Sequence, residues 1–264
     1  MTDKLSPETT RVKLFDINVW EGGLLTSQLF DFLVAEDPDV LCLQEVFDGK
    51  DVDLPANFRS IQVLQQHFPQ HAIYFSPEML CITNVGKIEL GNLIMSRFPI
   101  VHSSTQFFDI PYGEYEQKPA SNDWSQDPCN IQHCQLAVGN KTLNVFNLHG
   151  IWGIDGGDTP RRLHMSRVVV TNVQDKTTTV LTGDFNVKPD TETIRNIETQ
   201  LANVFAGQLA TSFNLPRKDL SSKRGYATAV VDMMFVSQDL TVTEHYCPQV
   251  DVSDHLPLIC VIEV

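Results

Sequence analysis

Hydrophobic and polar positions along the chain switch period repeatedly, from alternation or short apolar runs to helical spacing and back. Residues 11–20 (RVKLFDINVW) alternate, predicting a strand with Asn18 near its C-terminal end, and Gly22-Gly23 breaks it. Leu24, Leu25, Leu29, Phe30, Leu33 and Val34 recur at helical spacing until Asp37-Pro38 stops the helix. Val40-Leu41-Cys42-Leu43 is a short buried strand ending at Gln44-Glu45. A helix over 57–68, a strand over 71–75 and a strand over 91–100 closed by Pro99 follow. Between Pro111 and Cys129 the pattern dissolves, with Tyr112, Tyr115 and Trp124 interleaved among Glu114, Glu116, Asp123 and Asp127. Such a loop is functional or mobile. Its aromatics either stack on a base or sugar or pin the loop to the surface.

Residues 131–138 and 143–148 predict neighbouring strands around Gly139-Asn140, the second leading into His149. Thr159-Pro160 marks a helix start, threonine as cap and proline at the first helical position, and the helix runs toward Val173. Residues 177–186 (TTTVLTGDFN) carry β-branched and apolar side chains into Gly183, followed by Asp184 and Asn186. The run predicts a buried strand, Gly183 a sharp turn at its end, and period-two alternation puts Asp184 and Asn186 on one side. A carboxylate beside an amide suits holding a nucleophilic water and a phosphate oxygen near a metal. A plain Gly-Asp turn is the competing reading. Asp190 is the expected cap of a helix through Ile194 and Ile197.

Residues 230–236 set Asp232 inside an apolar run, where an unpaired charge is costly. Ser253-Asp254-His255-Leu256-Pro257 then places a metal-type ligand beside a titratable imidazole. Taken singly, Glu45 reads as a solvated strand end and His149 as a structural histidine. Arg217, Lys218, Lys223 and Arg224 crowd one polar loop against Asp219, either as a contact for substrate phosphate or as an ordinary solvated loop.

The alternation of strands and helices, without repeat or linker, predicts an α/β domain over 11–264 behind a flexible N-terminus over 1–10. At 264 residues and 42% apolar composition the chain supports a large core. A net charge of −14 argues against tight non-specific binding to duplex DNA, which needs basic residues to displace counterions. The scattered six cysteines, the absence of a leader-like N-terminal apolar segment and the lack of an apolar run of ~18 residues imply a cytoplasmic protein without a membrane span.

In order, the chain gives Asn18, Gln44-Glu45, Gly91-Asn92 with Ser96-Arg97, His149, Gly183-Asp184-Phe185-Asn186, Asp232 and Ser253-Asp254-His255-Pro257, nearly all at strand ends. This succession resembles the endonuclease/exonuclease/phosphatase superfamily, from about Val12 to Val264. The resemblance implies a four-layer α-β-β-α sandwich, two mixed β-sheets packed face to face with helices outside. It implies a phosphoester hydrolase using Mg²⁺ or Mn²⁺, with Glu45 as principal ligand and Asn18 and Asp254 completing the metal's surroundings. Asp184 would orient or deprotonate water, and Asn186 would hold a phosphate oxygen. His255 would pair with Asp232, His149 would donate to the scissile phosphate, and Asn92 would join the basic loop in binding substrate. Whether His255 is base or protonated stabiliser stays open.

The sequence also departs from the pattern. Met233 stands where an aromatic residue is frequent, only the amides Asn130 and Gln132 stand where some nuclease members carry an acid partner for the first histidine, and no DNA-reading segment is recognisable. These departures speak against duplex cleavage. The resulting expectation is a monomeric phosphodiesterase acting on a small or single-stranded phosphoester. A phosphomonoesterase, or an inactive binding protein retaining the fold, is the alternative.

Overall fold

Two βαβ units form the spine of the molecule. In the first, β1 (Arg11–Asn18), α1 (Thr26–Glu36) and β2 (Val40–Phe47) bring Asn18 beside Gln44 in parallel pairing. In the second, β8 (Lys141–His149), α3 (Pro160–Val173) and β9 (Thr179–Asp184) bring His149 beside Asp184 in the same way. Parallel strands need such crossovers, and their C-terminal ends share one edge, where ligands of α/β sheets bind. The helix ends follow the expected chemistry at α1 and α3. Asp37 is left-handed (φ 46°) and donates its N–H to Leu33 O, while the Thr159 hydroxyl accepts from Arg162 N.

The computed structural model describes residues 9–117, 123–218 and 228–264. The remaining elements are α2 (Ser60–His67), β3 (Ala72–Thr83), β4 (Gly86–Ser96), β5 (Ile100–Phe107), β6 (Glu114–Glu116), β7 (Asn130–Val138), α4 (Glu192–Glu198), β10 (Ala202–Asn203), β11 (Asp232–Val236), β12 (Thr241–Tyr246) and β13 (Leu258–Glu263). One mixed sheet has the order β12-β13-β1-β2-β4-β3-β6, and the other β10-β11-β9-β8-β7-β5. Thr10 exchanges both backbone hydrogen bonds with Val264, so pairing reaches inside the segment expected to be flexible. The strand expected over 91–100 is divided. It ends at Ser96, Pro99 lies at the corner, and Ile100 opens β5 in the other sheet. The cap of α4 is Thr191, whose side chain accepts from Ile194 N, and not Asp190.

Three apolar clusters define the four layers. Leu29, Phe30, Leu33, Ile61 and Leu64 of α1 and α2 cover the seven-stranded sheet. Met165, Val169, Ile194 and Ile197 of α3 and α4 cover the six-stranded one. Val12, Cys42, Ile94, Val145, Val180 and Cys260 fill the space between the sheets.

A polar seam interrupts that inner layer. Gln44 Nε2 donates to Asp16 Oδ1 (2.9 Å) on its own sheet and to Asn147 Oδ1 (2.7 Å) on the other. Asn147 Nδ2 donates to Leu43 O (3.1 Å), and Gln132 Nε2 returns to Asn92 O (2.9 Å). Burial, with the Asp232 charge adding to it, pushes the Asp16 carboxyl well above the usual carboxylate range.

β4 keeps a straight register while both of its neighbours bulge against it. Opposite β2 the pairing jumps from Leu43↔Leu93 to Val46↔Gly91, leaving Gln44 and Glu45 facing Asn92. Opposite β3 it jumps from Pro77↔Gly91 to Met79↔Leu90, leaving Glu78 extra. Both irregularities meet at Gly91, where an added Cβ would lie 2.1 Å from Ser76 O and 2.7 Å from Pro77 Cα. Backbone on that side has no free end to swing away. Gly91→Ala is therefore expected to destabilise the protein by more than ~2 kcal/mol in urea unfolding, because overpacking displaces the bulge itself.

Candidate active site

Each expected site position can now be traced to an element. The β2 bulge puts Glu45 at φ 59°, and its carboxylate turns toward the end of β1. There Oε1 accepts from Asn18 Nδ2 (2.9 Å) and Oε2 from Glu21 N (2.7 Å). Asn18 Nδ2 also reaches Asp184 Oδ2 on the other sheet, at 3.3 Å. One amide thus bridges two carboxylates. Its oxygen accepts from Trp20 N (3.0 Å), so Asn18 presents its amide hydrogens to the acids.

Asp184 ends β9, directly opposite Asp232 at the start of β11. Gly183 lies within the strand and not at a turn. Its φ of 143° and a virtual Cβ only 2.0 Å from Leu148 O show that it is needed for close approach to β8. The turn comes three residues later, at Asn186 (φ 56°), whose N–H donates back to Asp184 Oδ1 at 2.9 Å. The two side chains therefore do not share an extended backbone. Asn186 Nδ2 donates to Gly150 O (3.1 Å) while the residue lines the pocket.

His255 Nδ1 donates to Asp232, 2.9 Å from Oδ2, and His255 Nε2 stands 3.9 Å from Asp184 Oδ2. His149 mirrors this arrangement. Its Nδ1 lies 3.7 Å from Glu78 Oε2, and its Nε2 lies 3.7 Å from the same Asp184 Oδ2. Two imidazoles, each backed by a buried acid, turn their outer nitrogens toward one carboxylate oxygen. Both pairs straddle the sandwich, because Glu78 and His255 belong to the seven-stranded side and His149 and Asp232 to the six-stranded side.

Burial alone would lower both histidine pKa values. Hydrogen bonding and charge from Glu78, with Asp184 and Glu45, instead push His149 up to about 10. The Asp232 charge, opposed by Lys218 and reinforced by Asp254, pushes His255 up to about 9. Burial raises the two partner acids as well. Both are imidazolium–carboxylate pairs, since each acid sits beside a histidine whose pKa is raised. A histidine pKa raised on folding contributes stability that is complete below the unfolded value near 6.5 and is lost as pH rises through the folded value. For metal-free protein, the stability difference between wild type and His149→Asn should therefore be largest near pH 6.5 and shrink toward pH 10, as read from paired urea titrations.

Glu78 carries no signal in a period-two reading. It is 2% exposed, and only the bulge turns it inward, where it accepts from Asn92 Nδ2 (3.0 Å) and Asn130 N (3.2 Å). Asn92 is accordingly corrected from substrate contact to buried support, with no exposure and its amide directed to Glu78. Arg162 was also missed. Fully buried, it donates to Ile151 O (2.9 Å), Gly157 O (2.6 Å) and Asn186 O (2.7 Å), tying the loop after β8 to the turn after β9. The two described members of the basic loop part company. Arg217 is paired with Asp251 and does not line the pocket, whereas Lys218 Nζ lies 2.5 Å from Asp254 Oδ2 at its wall. Lys223 and Arg224 lie outside the described residues.

Glu45, Glu78, His149, Asp184, Asp254 and His255 wall a pocket of about 360 Å³. Asp184, Asp232 and His255 have ligand atoms mutually within 4.8 Å, but the last two are hydrogen-bonded to each other. The donor set that fits a hard divalent cation is instead Glu45 with Asp184, two carboxylates gathered on one Asn18 amide, with Asp254 on the adjoining wall. All six cysteines are free, and no helix among the described residues is long and apolar enough to cross a membrane.

Paired sheets with outer helices and crossed acid–imidazole pairs at the strand-end edge define the class as an α/β sandwich with an acid–histidine centre. Residues 17–255 match the profile of the Endonuclease/Exonuclease/phosphatase family, and the chain belongs to that family, whose members hydrolyse phosphoesters. No curated protein matches the sequence significantly. Among solved structures, the endonuclease/exonuclease/phosphatase from Bacteroides vulgatus is similar at 16% identity, covering 97% of this chain and 99% of its own, with a TM-score of 0.70. The Bacteroides thetaiotaomicron VPI-5482 mannosyl-6-phosphatase Bt3783 is 17% identical over 96% and 99%, with a TM-score of 0.66. D. rerio TDP2 complexed with single strand DNA product is 16% identical over 97% and 100%, with a TM-score of 0.68.

Proposed function

We propose that the protein is a divalent-metal-dependent phosphodiesterase that cleaves a P–O ester bond by in-line attack of water. The observation that carries this reading is the convergence of His149 Nε2 and His255 Nε2 on Asp184 Oδ2, 3.7 and 3.9 Å away. A phosphoryl group bound between the imidazoles would meet two N–H donors suited to its growing charge. Asp184 would orient the attacking water and accept its proton as the new P–O bond forms. Asn186, with a second amide hydrogen beyond the one given to Gly150, would hold a phosphoryl oxygen. Protonated His149 would donate to the phosphate or to the departing oxygen as the ester bond breaks.

Glu45, Asp184 and Asp254 would hold Mg²⁺ or Mn²⁺, which when bound supplies positive charge beside the phosphoryl oxygens. Protein stripped with EDTA should lose hydrolysis of bis(4-nitrophenyl) phosphate and regain it with either ion. Glu45→Gln should lower the restored rate by ~10²-fold, in line with loss of a transition-state contact. Absence of turnover on this diester and on 4-nitrophenyl phosphate with both ions would overturn the proposal. Lys218 at the wall favours a second reading, a phosphomonoesterase, which release of inorganic phosphate from the monoester would distinguish. The proposed substrate is a small or single-stranded phosphoester, handled by a monomer.

A further inference from the structure

Asp254 already holds a cation of the chain's own. Its Oδ2 takes the Lys218 ammonium at 2.5 Å, while its Oδ1 lies 3.4 Å from Ser253 Oγ and 4.0 Å from His255 Nε2. Only 21% of the lysine side chain and 13% of the aspartate side chain are exposed, so this is not a solvated surface pair. Lys218 Nζ also stands over Phe213, 4.3 Å from the ring centroid, and that ring packs against His255 with centroids 4.7 Å apart.

Backbone contacts fix this approach. Phe213 and His255 form an antiparallel bridge, Leu256 N donates to Ser212 O (2.8 Å), and Asn214 N donates to Asp254 O (2.9 Å). Asn214 Nδ2 adds a bond to Ser253 O at 2.8 Å. Residues 212–214 are thereby stitched alongside 253–256, and they carry Lys218 to the pocket wall whether or not its salt bridge is made. Asp254 is at the same time the third arm of the carboxylate set with Glu45 and Asp184. An ammonium and a divalent ion on one carboxylate oxygen repel each other in a partly desolvated site, so Oδ2 serves one or the other.

We propose that Lys218 is a resident counter-ion that yields Asp254 to a divalent ion and turns its ammonium to the phosphoryl group. This rests on the metal-dependent phosphoesterase reading and deepens it with an order of binding, ion first and phosphoester second. Before the ion binds, the lysine neutralises Asp254 and offers little to a phosphate. Once released, its short tether keeps it at the wall beside His255, where the proposed phosphoryl group would lie. Metal and phosphate sites are then coupled through one side chain, and the coupling is reciprocal: phosphate on Lys218 also favours the ion.

The test is a titration of Mn²⁺ into the whole metal-stripped protein, with the free ion read by electron paramagnetic resonance, so that it does not depend on turnover. Lys218→Met should bind Mn²⁺ at least ~5-fold more tightly than wild type, because the competitor is gone, and Lys218→Arg should bind it no more tightly. In an Asp254→Asn background the same Lys218→Met change should alter the affinity by less than ~2-fold, since the shared oxygen is absent. Calorimetry with methylphosphonate supplies the second arm. Mn²⁺ should strengthen its binding by a factor at least ~3-fold larger in wild type than in Lys218→Met. Affinities come from the curvature of each titration and folded fraction from its end point, so partial unfolding does not imitate them. Equal tightening with and without the Asp254 carboxylate would reveal only the general field of the lysine and overturn the inference. An unchanged Mn²⁺ affinity, or a coupling factor no larger in wild type, would overturn it too and leave the metal-dependent reading standing. Failure of both wild type and Lys218→Met to bind Mn²⁺ would sink both. The expected pattern in a protein without turnover would support the exchange and sink only the catalytic reading.

Discussion

Asp184→Asn is expected to lower turnover of bis(4-nitrophenyl) phosphate by ~10³-fold or more, with a melting temperature close to wild type. The substitution keeps shape and volume but removes the acceptor that would take the proton from water. It also takes away the oxygen on which Asn18 Nδ2, His149 Nε2 and His255 Nε2 converge, at 3.3, 3.7 and 3.9 Å. Stability should hold because the retained oxygen can still accept from Asn186 N at 2.9 Å, and the contact given up is the longer one from Asn18 Nδ2 at 3.3 Å. Steady-state kinetics with saturating Mg²⁺ would decide it, and a variant within ~10-fold of wild type would remove Asp184 from proton transfer.

The second large effect concerns a residue that motif reading passed over. Glu78→Gln should cost ~10²-fold in kcat, as should His149→Asn, and the double variant should be little worse than either. Groups that act as one unit are non-additive, and Glu78 acts only through the imidazole it faces. The pH profile separates this from a merely structural role. Without the carboxylate, burial is left to lower the His149 pKa, so the alkaline limb of activity should move to lower pH in Glu78→Gln. Multiplicative losses with an unmoved alkaline limb would show that Glu78 supports the strand and not the histidine.

What the sequence made legible follows physical range. Apolar runs and caps are local, so β1, α1, β2, β7, β8, α3 and β9 can be read from Arg11, Asp37, Thr159 and the TTTVLTGD stretch. Asp232 and His255 could be paired beforehand because the resemblance and the cost of a lone buried acid point the same way. Register is not local. Nothing near Ser76-Pro77-Glu78 announces that a glycine in β4 will leave room for an inward bulge, so the acid facing His149 stayed hidden. Long-range charge pairing is equally invisible, which is why Arg217 read as a phosphate contact when Asp251, on a distant segment, claims it. Asn92 misled for a related reason. A polar residue at an apolar strand's end looks available until a partner such as Glu78 is placed opposite.

The amide bridges from Gln44 and Asn147 hold the two halves of the molecule at a fixed offset, and each acid–histidine pair has one member on either half. Shear between the layers would lengthen both contacts together, before any helix had to unravel. Mild heat or pressure should thus extinguish hydrolysis abruptly while far-ultraviolet dichroism is still native. The centre behaves as a latch that opens when its two jambs drift out of alignment.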